Sequence, residues 1–190
     1  MSTGGSPHIP YEEYLALEAT ADVKHEWLDG IIYAMSGDTP SHARIATNLE
    51  AKLHAALAGK RCAAFNSDLR IRVRETGLAT YPDISVVCGS METDPKDKNA
   101  ATNPTLLIEV LSDTTEAYDR GEKFAHYRRI PSLREYVLVG QTEPRVEVFR
   151  RNPDDTWTLH EFTGRLVRLQ SIDVAVPVAD LYADPLAPPS

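Results

Sequence analysis

The stretch LLIEVL, residues 106–111, is a continuous apolar run that a single carboxylate, Glu109, interrupts. A run of this kind is typical of a central strand that is covered on both faces of its sheet. An unpaired carboxylate is too costly to bury, so Glu109 must be paired, protonated or bound to a cation. The stretch therefore predicts a strand through the core and marks Glu109 as a candidate site residue, with a structural ion pair as the alternative.

A second carboxylate stands at the start of a neighbouring strand. Asp83 follows Pro82 and precedes the apolar run at 84–88. Proline is tolerated at the first residue of a strand because its missing N–H need not pair. An aspartate after proline is also a common way to enter a turn, and that alternative stays open. Together with Glu109 on an adjacent strand, Asp83 predicts a pair of site carboxylates.

The segment after Glu109 is predicted to fold back as a helix over residues 114–129, with Asp113 as N-cap and Pro131 beyond its end. The strand runs forward by about 13 Å from Glu109, and a helix returns by about 13 Å from residue 114 to Lys123. Lys123 should therefore lie level with Glu109, and Tyr127 one turn further along the same face. Taken by itself, a lysine at this position favours the alternative of a solvated helix residue.

Two carboxylates and a lysine suit phosphodiester hydrolysis. Carboxylates can hold Mg²⁺, which neutralises phosphate oxygens and activates water, while an ammonium stabilises the charge that builds on the phosphorus centre. The motifs GxGxxG, GxxxxGK[ST], GxSxG and HExxH are absent from the sequence. Dinucleotide, P-loop, hydrolase-elbow and zincin chemistry therefore have no support.

The remaining periodicity predicts a mixed α/β (α+β) domain. A long helix at 41–57 has Ser41 as cap and Gly59 as its stop. The other predicted elements are a helix at 11–17, a hairpin at 26–33, strands at 69–73, 84–88 and 105–111, a hairpin of 136–139 with 146–149, and a strand at 157–162.

Composition and length indicate one globular domain, which we place at residues 11–183 between loose tails at 1–10 and 184–190. No apolar stretch is long enough for a membrane span, so we expect a cytoplasmic protein. Cys62 and Cys88 are too few for a disulfide framework and are expected to be buried, reduced thiols. The net charge of −8 argues against a protein that coats nucleic acid through bulk electrostatics.

Several of these segments together resemble a known family. The motifs YPDISVVCG at 81–89 and LIEVLS at 107–112, then Asp119-Arg120, Lys123 and Tyr127, are similar to those of a prokaryotic group of restriction-endonuclease-like proteins in the PD-(D/E)xK nuclease superfamily. The resemblance also includes HEWLDG at 25–30, Ser41-His42 and EYVLV at 135–139, and it covers residues 11–182.

The resemblance implies a restriction-endonuclease-like core, a central mixed sheet flanked by helices. The superfamily places its lysine two residues after the glutamate, where this chain has Leu111, and Lys123 matches a lysine that has moved to the following helix. It implies Mg²⁺ or Mn²⁺ at Asp83, Glu109 and the Val110 carbonyl, and it adds Glu26 as a further metal ligand.

Other polar residues carry two readings each. Arg70 and Arg72 alternate with apolar residues, so they either contact phosphate or form an exposed polar face. We assign Arg70 and Tyr127 as candidate nucleic-acid contacts. His42 either faces the site or has a capping or core-edge role.

The function predicted from the sequence is that of a Mg²⁺-dependent endonuclease that acts on nucleic acid, with DNA as the expected substrate. The alternative is a catalytically idle protein of the same fold that serves as a binding or assembly module. A glycosidase-like carboxylate pair is a third hypothesis, although it leaves Lys123 without a purpose. A homodimer is expected by analogy with nucleases that cut two strands.

Overall fold

Two six-stranded sheets form the frame of the protein in a computed structural model that describes residues 8–35, 37 and 39–186. The strands of these residues are β1 (His25–Leu28), β2 (Ile31–Ala34), β3 (Cys62–Asn66), β4 (Arg70–Val73), β5 (Leu78–Thr80), β6 (Ile84–Cys88), β7 (Thr93–Asp94), β8 (Asp97–Ala101), β9 (Leu106–Val110), β10 (Glu135–Val139), β11 (Val146–Arg151), β12 (Trp157–Phe162), β13 (Leu166–Leu169) and β14 (Val174–Pro177). The helices are α1 (Tyr11–Glu18), α2 (Pro40–Leu57), α3 (Glu116–Tyr118), α4 (Phe124–Tyr127) and α5 (Val178–Leu181), with a π-helical turn at Asp119–Lys123 and a 3-10 turn at Gln170–Ile172.

The first sheet has the order β2-β1-β5-β4-β8-β7, the second has the order β12-β11-β10-β9-β6-β3, and β13 pairs with β14 in a separate ribbon. Within the second sheet β9 and β10 are parallel, and its other neighbouring pairs are antiparallel. A parallel pair needs a crossover connection. Here α3, the π-helical turn and α4 supply it. The mixed α+β class predicted from the sequence is confirmed.

Strand β9 is buried on both faces, as its sequence predicts. Leu106, Ile108 and Val110 belong to the core that includes α2, while Leu107 lies in a second core with Tyr127 of the crossover. Because side chains alternate along a strand, Glu109 shares the face of Leu107. The strand therefore directs its one carboxylate toward the crossover helix.

Helix α2 buries Ile45, Leu49, Leu53 and Leu57 at helical spacing against the second sheet. It begins one residue earlier than the sequence indicated, because Pro40 occupies the first turn and the Thr39 hydroxyl accepts the hydrogen bond of the N-cap. The assignment of Ser41 as cap was therefore wrong. The backbone N–H of His42 donates this hydrogen bond.

The crossover helix is shorter and less regular than predicted. It begins at Glu116 with Thr115 in the N-cap position, so the assignment of Asp113 as N-cap was wrong, and its α-helical part ends at Tyr127. The five residues Asp119–Lys123 form a π-helical turn, and both of its end residues are buried. Helix propensity does not predict a π-helical turn. Such turns are rare, are usually single, and often lie at functional sites.

The two cysteines differ from the prediction of reduced thiols. Cys62 on β3 lies directly opposite Cys88 on β6 in the antiparallel register, and their sulfurs form a disulfide bond. Both residues are half-buried. The prediction was wrong because β3 was not recognised as a strand, so nothing in the sequence analysis placed the two cysteines side by side.

Residues 8–10, which we expected in a loose tail, contact the first hairpin. The backbone N–H of Ile9 donates to the Gly30 carbonyl at 2.8 Å, and the indole N–H of Trp27 donates to the Ile9 carbonyl at 2.8 Å. Residues 8–10 are thus docked on the first hairpin. Of the expected tails, residues 1–7 and 187–190 lie outside the described residues. Among the residues described, no helix is both long and apolar enough to cross a membrane.

Candidate active site

Asp83, Glu109 and Lys123 meet in a cleft of about 370 Å³ between the two sheets and the crossover. The cleft is also lined by other polar side chains, namely Lys24, Glu26, Tyr33, His42, Ser67, Tyr81, Thr115, Tyr118 and Asp119. Residues that are far apart in the sequence therefore contribute to a single concave site.

The two strand carboxylates are held next to one another by sheet register. Ile84 of β6 pairs with Ile108 of β9 in antiparallel register, so Asp83 and Glu109 lie opposite one another. Asp83 Oδ2 accepts a hydrogen bond of 2.7 Å from the Val110 N–H, and Glu109 Oε2 accepts one of 3.4 Å from the Asp83 N–H. The predicted adjacency of these carboxylates is confirmed.

Lys123 lies where the length of the crossover predicts. Its Nζ is 3.0 Å from Glu109 Oε1, 3.3 Å from Asp119 Oδ1 and 3.4 Å from Glu26 Oε1. Only 5% of the residue is exposed. Lys123 is therefore an internal cation of the site rather than a solvated lysine.

Burial and neighbouring charge oppose one another in this cluster. Burial lowers the pKa of Lys123, but the carboxylates of Glu109, Glu26 and Asp119 outweigh it and hold that pKa well above its ordinary value. Burial raises the pKa of Glu109, Lys123 opposes the rise, and Asp119 and Asp83 add to it. The lysine is thus charged at neutral pH, and the carboxylates repel one another around it.

Asp119 is a site residue that the sequence analysis quoted but did not assign. It is 2% exposed, and burial raises its pKa while Lys123 opposes the rise. Its Oδ1 forms an ion pair with Lys123 Nζ at 3.3 Å. Within the described part of the chain, this oxygen has no other hydrogen-bond partner. The available signal was its spacing, because residues four apart share a helix face.

His42 reaches the site from the first turn of α2. Its Nε2 lies 3.2 Å from Asp83 Oδ2, and the residue is 4% exposed. Of the two readings that the sequence left open, the side chain therefore faces the carboxylates. His42 and Lys123 thus contact different carboxylates of the pair, His42 that of Asp83 and Lys123 that of Glu109.

Glu26 lies in the cleft, but its oxygens already have protein partners. Oε1 accepts a short hydrogen bond from the Thr80 hydroxyl and pairs with Lys123, and Oε2 accepts a hydrogen bond of 3.2 Å from the Tyr118 hydroxyl. In this arrangement Glu26 anchors Lys123.

The two predicted nucleic-acid contacts are both turned inward. Tyr127 is fully buried, and its hydroxyl donates to Glu109 Oε1 at 2.9 Å. Arg70 is 9% exposed and is bonded to Asp97 and to the Tyr81 hydroxyl. Both side chains therefore have protein partners in this structure: Tyr127 is bonded to Glu109, and Arg70 belongs to a buried ion pair with Asp97.

Arg72 is likewise not on an exposed polar face. Its guanidinium lies over the rings of Tyr11 and Trp27, with centroid distances of 4.2 and 4.9 Å. The alternation of arginine with apolar residues in β4 therefore reflects two buried layers rather than one buried and one solvated face.

The donor set of the cleft was compared with what a divalent ion requires. Among the described residues, no group of three or more His, Cys, Asp or Glu side chains stands in a geometry ready to hold a metal. Mg²⁺ is commonly held by only one or two carboxylates, with water and substrate phosphate completing its shell. Asp83 and Glu109, which line the cleft side by side, supply such a pair. The residues present fit Mg²⁺ or Mn²⁺.

Similar proteins were found in sequence and in structure. The chain is 39% identical over 181 residues to the uncharacterized protein slr1290 of Synechocystis sp., covering 93% of this chain and 92% of that one. It is 34% identical over 158 residues to the uncharacterized protein sll1609 of the same organism, covering 83% and 89%. The fold resembles the crystal structure of a putative nuclease belonging to DUF820 from Anabaena variabilis, with a TM-score of 0.74, 20% identity and coverage of 90% and 96%.

The family model for Uma2, described as "Putative restriction endonuclease", matches residues 11–179. That match includes both strand carboxylates, the crossover and its lysine. Since it spans most of the chain, this protein belongs to the Uma2 family of restriction-endonuclease-like proteins.

Proposed function

We propose that this protein is a Mg²⁺- or Mn²⁺-dependent endonuclease that hydrolyses phosphodiester bonds of nucleic acid, with DNA as its substrate. The observation that carries the proposal is the ammonium of Lys123, 3.0 Å from the Glu109 carboxylate, in a cleft that also contains Asp83. Two carboxylates and a buried cation beside a cleft are the groups that this reaction needs. Membership of a family described as restriction endonucleases supports the same reaction.

Each residue has a role that follows from its surroundings. Asp83 and Glu109 would hold the metal, with the Val110 carbonyl as a third ligand. When bound, the ion neutralises phosphate oxygens and lowers the pKa of a water molecule. Lys123, kept charged by its carboxylates, stabilises the negative charge that develops on the phosphate as water adds and the leaving oxygen departs.

Two neighbours hold the machinery in place. The Tyr127 hydroxyl, neutral because burial raises its pKa well above the ordinary value, donates to Glu109 and fixes the orientation of that carboxylate. His42 does the same for Asp83 from the side of α2. The fixed orientation of these carboxylates matters because a misplacement of about 1 Å at a metal site lowers the catalytic rate strongly.

A binding or assembly module of the same fold is the second candidate. The net charge of −8 favours it, because an acidic chain is repelled by nucleic acid unless the metal or a few local contacts compensate. A nuclease that cuts both strands would act as a dimer, whereas a module need not.

The deciding experiment measures metal binding and cleavage on the same preparation. The nuclease proposal expects binding of Mg²⁺ or Mn²⁺ by calorimetry, cleavage of DNA with either ion, no cleavage in chelator, and none with Ca²⁺, which prefers more ligands in a looser geometry. RNA is assayed in parallel to establish the substrate. Metal binding without cleavage of either polymer would favour the module, and cleavage that persists in EDTA would remove the metal mechanism.

A further inference from the structure

The first hairpin, formed by β1 and β2, presents one of its faces to the cleft. Side chains alternate between the two faces of a strand, so Lys24 and Glu26 share a face, as do Tyr33 and Met35. Glu26 pairs with Tyr33, and the Met35 N–H donates to the Lys24 carbonyl at 2.9 Å, so the two faces coincide. All four residues line the cleft. The hairpin is therefore one wall of the candidate active site.

Tyr33 is the exposed aromatic side chain of this wall. It is 49% exposed, and among the described residues its hydroxyl has no hydrogen-bond partner and its ring has no aromatic or cationic neighbour. The other two tyrosines of the cleft are held by the protein, because the Tyr81 hydroxyl donates to Glu18 and the Tyr118 hydroxyl donates to Glu26. Tyr33 thus presents the face of its ring to whatever enters the cleft.

Lys24 adds a cation to the same wall. Its Nζ lies 2.7 Å from Asp68 Oδ1 and 2.9 Å from the Ser67 carbonyl. The side chain of Lys24 is 38% exposed and that of Asp68 is 76% exposed, so this ion pair is weak and can exchange for another anion. Lys24 and Tyr33 are diagonal neighbours across the hairpin, roughly 7–8 Å apart, which lets one ligand contact both side chains.

We propose that Tyr33 and Lys24 bind an unpaired nucleotide at the mouth of the cleft, with the ring stacked on the base and the ammonium on a phosphate. The inference rests on the proposed function and gives it a substrate class, single-stranded nucleic acid. Inside a duplex both faces of a base are covered by its neighbours, so Tyr33 can stack only on a base that has left the duplex. Every base has a π-face, so the contact is independent of sequence.

Binding of fluorescent DNA in chelator tests the inference while cleavage is blocked. The probes are a short single strand of mixed sequence and the same strand in a duplex, followed by anisotropy at low salt. Wild type should bind the single strand more tightly. Tyr33→Ala should weaken this binding by roughly 10-fold, the usual scale for one base stacked on an aromatic ring, and Tyr33→Phe by less than about two-fold.

Ile31→Ala is the matched control for the tyrosine. Ile31 lies two residues before Tyr33 on the same face of β2, is 43% exposed and does not line the cleft. Its replacement should leave the affinity for the single strand unchanged. An equal loss of affinity in Ile31→Ala and Tyr33→Ala would overturn the inference, because a general change in the hairpin would then explain both.

The ammonium has a measurement of its own. Lys24→Ala should weaken binding of the single strand and lower the slope of log affinity against log salt by about 0.7, the value for one phosphate contact on a single strand. Lys52→Ala, which removes a half-exposed lysine paired with Asp180 outside the cleft, should leave the slope unchanged. An unchanged slope in Lys24→Ala would remove the phosphate contact. Thermal melts check that each variant is folded.

The outcomes separate this inference from the proposed function. Weaker binding by Tyr33→Ala alone, in a protein that cleaves no nucleic acid with Mg²⁺ or Mn²⁺, supports the nucleotide site and contradicts the nuclease. Equal cleavage of single strand and duplex, with Tyr33→Ala as active as wild type, supports the nuclease and contradicts the nucleotide site. Wild type that binds neither probe, or both equally, would also overturn the inference.

Discussion

Two buried ionic clusters in this protein differ in the balance of their charges and in their access to the cleft. In the first, Arg70 is bonded to Asp97 and to the Tyr81 hydroxyl, and Asp97 also accepts from the Tyr11 hydroxyl at 3.1 Å. One guanidinium faces one carboxylate, and neutral hydroxyls complete the hydrogen bonds. Neither of the two charged residues lines the cleft.

The second cluster has four carboxylates and one lysine. Glu26, Asp83, Glu109 and Asp119 all line the cleft with Lys123, which contacts three of them. Buried charge alone therefore does not identify a functional site. An excess of one sign, held next to solvent, distinguishes the proposed site from a structural ion pair.

The comparison predicts the largest effect for the carboxylates of the second cluster. Asp83→Asn and Glu109→Gln should each abolish divalent-metal binding and lower cleavage by about 10³-fold or more, because each removes a proposed metal ligand. The fold should persist, since each change relieves repulsion between carboxylates. Calorimetry, cleavage assays and thermal melts measure the three quantities.

Asp97→Asn is the matched control, since it neutralises the buried carboxylate of the balanced cluster. It should leave metal binding intact. Equal loss of binding in all three variants would mean that the two clusters do not differ in the way described.

A change in the balanced cluster should affect stability instead. Arg70→Met leaves Asp97 buried without its partner and should lower the free energy of unfolding by about 3–5 kcal/mol. Activity per folded molecule should not change. Urea denaturation measures the loss, and the double variant Arg70→Met with Asp97→Leu should recover part of it, because no charge is then left unpaired. A loss below about 1 kcal/mol would indicate that water compensates Asp97.

The lysine of the second cluster should affect chemistry more than metal affinity. Lys123→Ala should lower cleavage by roughly 10²-fold, the usual scale for one lost electrostatic contact to the transition state. The affinity of the Asp83–Glu109 site for Mg²⁺ should stay within a few-fold. Rate measurements at saturating metal provide the test, with Lys52→Ala as control. Full activity of Lys123→Ala would remove the lysine from the mechanism.

The smallest predicted effect is a dependence of stability on pH. Burial raises the pKa of Glu109 above its unfolded value, against the opposing charge of Lys123, so its contribution to stability is present at low pH and is lost as pH rises through the folded pKa. In the presence of chelator, the free energy of unfolding of wild type should therefore fall relative to that of Glu109→Gln as the pH rises above the ordinary pKa range of carboxylates. Saturating Mg²⁺ should reverse the direction, because metal binds the ionised carboxylate. Urea midpoints across pH measure both slopes, and identical slopes with and without Mg²⁺ would contradict the prediction.

The sequence predicted the parts of this site that follow from local pattern. The apolar run around Glu109 predicts a buried strand. The rise per residue of a strand and of a helix then predicts that Lys123 lies beside Glu109, as it does in the structure. The long helix and strands β6 and β12 also follow from periodicity. Such features depend on neighbours within a few residues of one another along the chain.

Features that depend on tertiary partners were not predictable in the same way. Arg70 and Tyr127 carry groups that suit phosphate, and only the packing of two sheets shows that Asp97 and Glu109 bind them first. The disulfide of Cys62 needed the register between β3 and β6. The short strands β5, β7 and β8 lack a hydrophobic alternation long enough to recognise.

The position of Lys123 on a crossover also constrains how the family can vary in length. Lys123 lies 14 residues after Glu109 (123 − 109), across one turn, one π-helical turn and part of a helix. Deleting one residue ahead of the lysine would rotate it by about 100° around the helix and carry it out of the cleft. The hairpin connection at 140–145 is under no such restriction. Insertions and deletions among relatives should therefore accumulate in that hairpin, and the interval between glutamate and lysine should be inherited at fixed length.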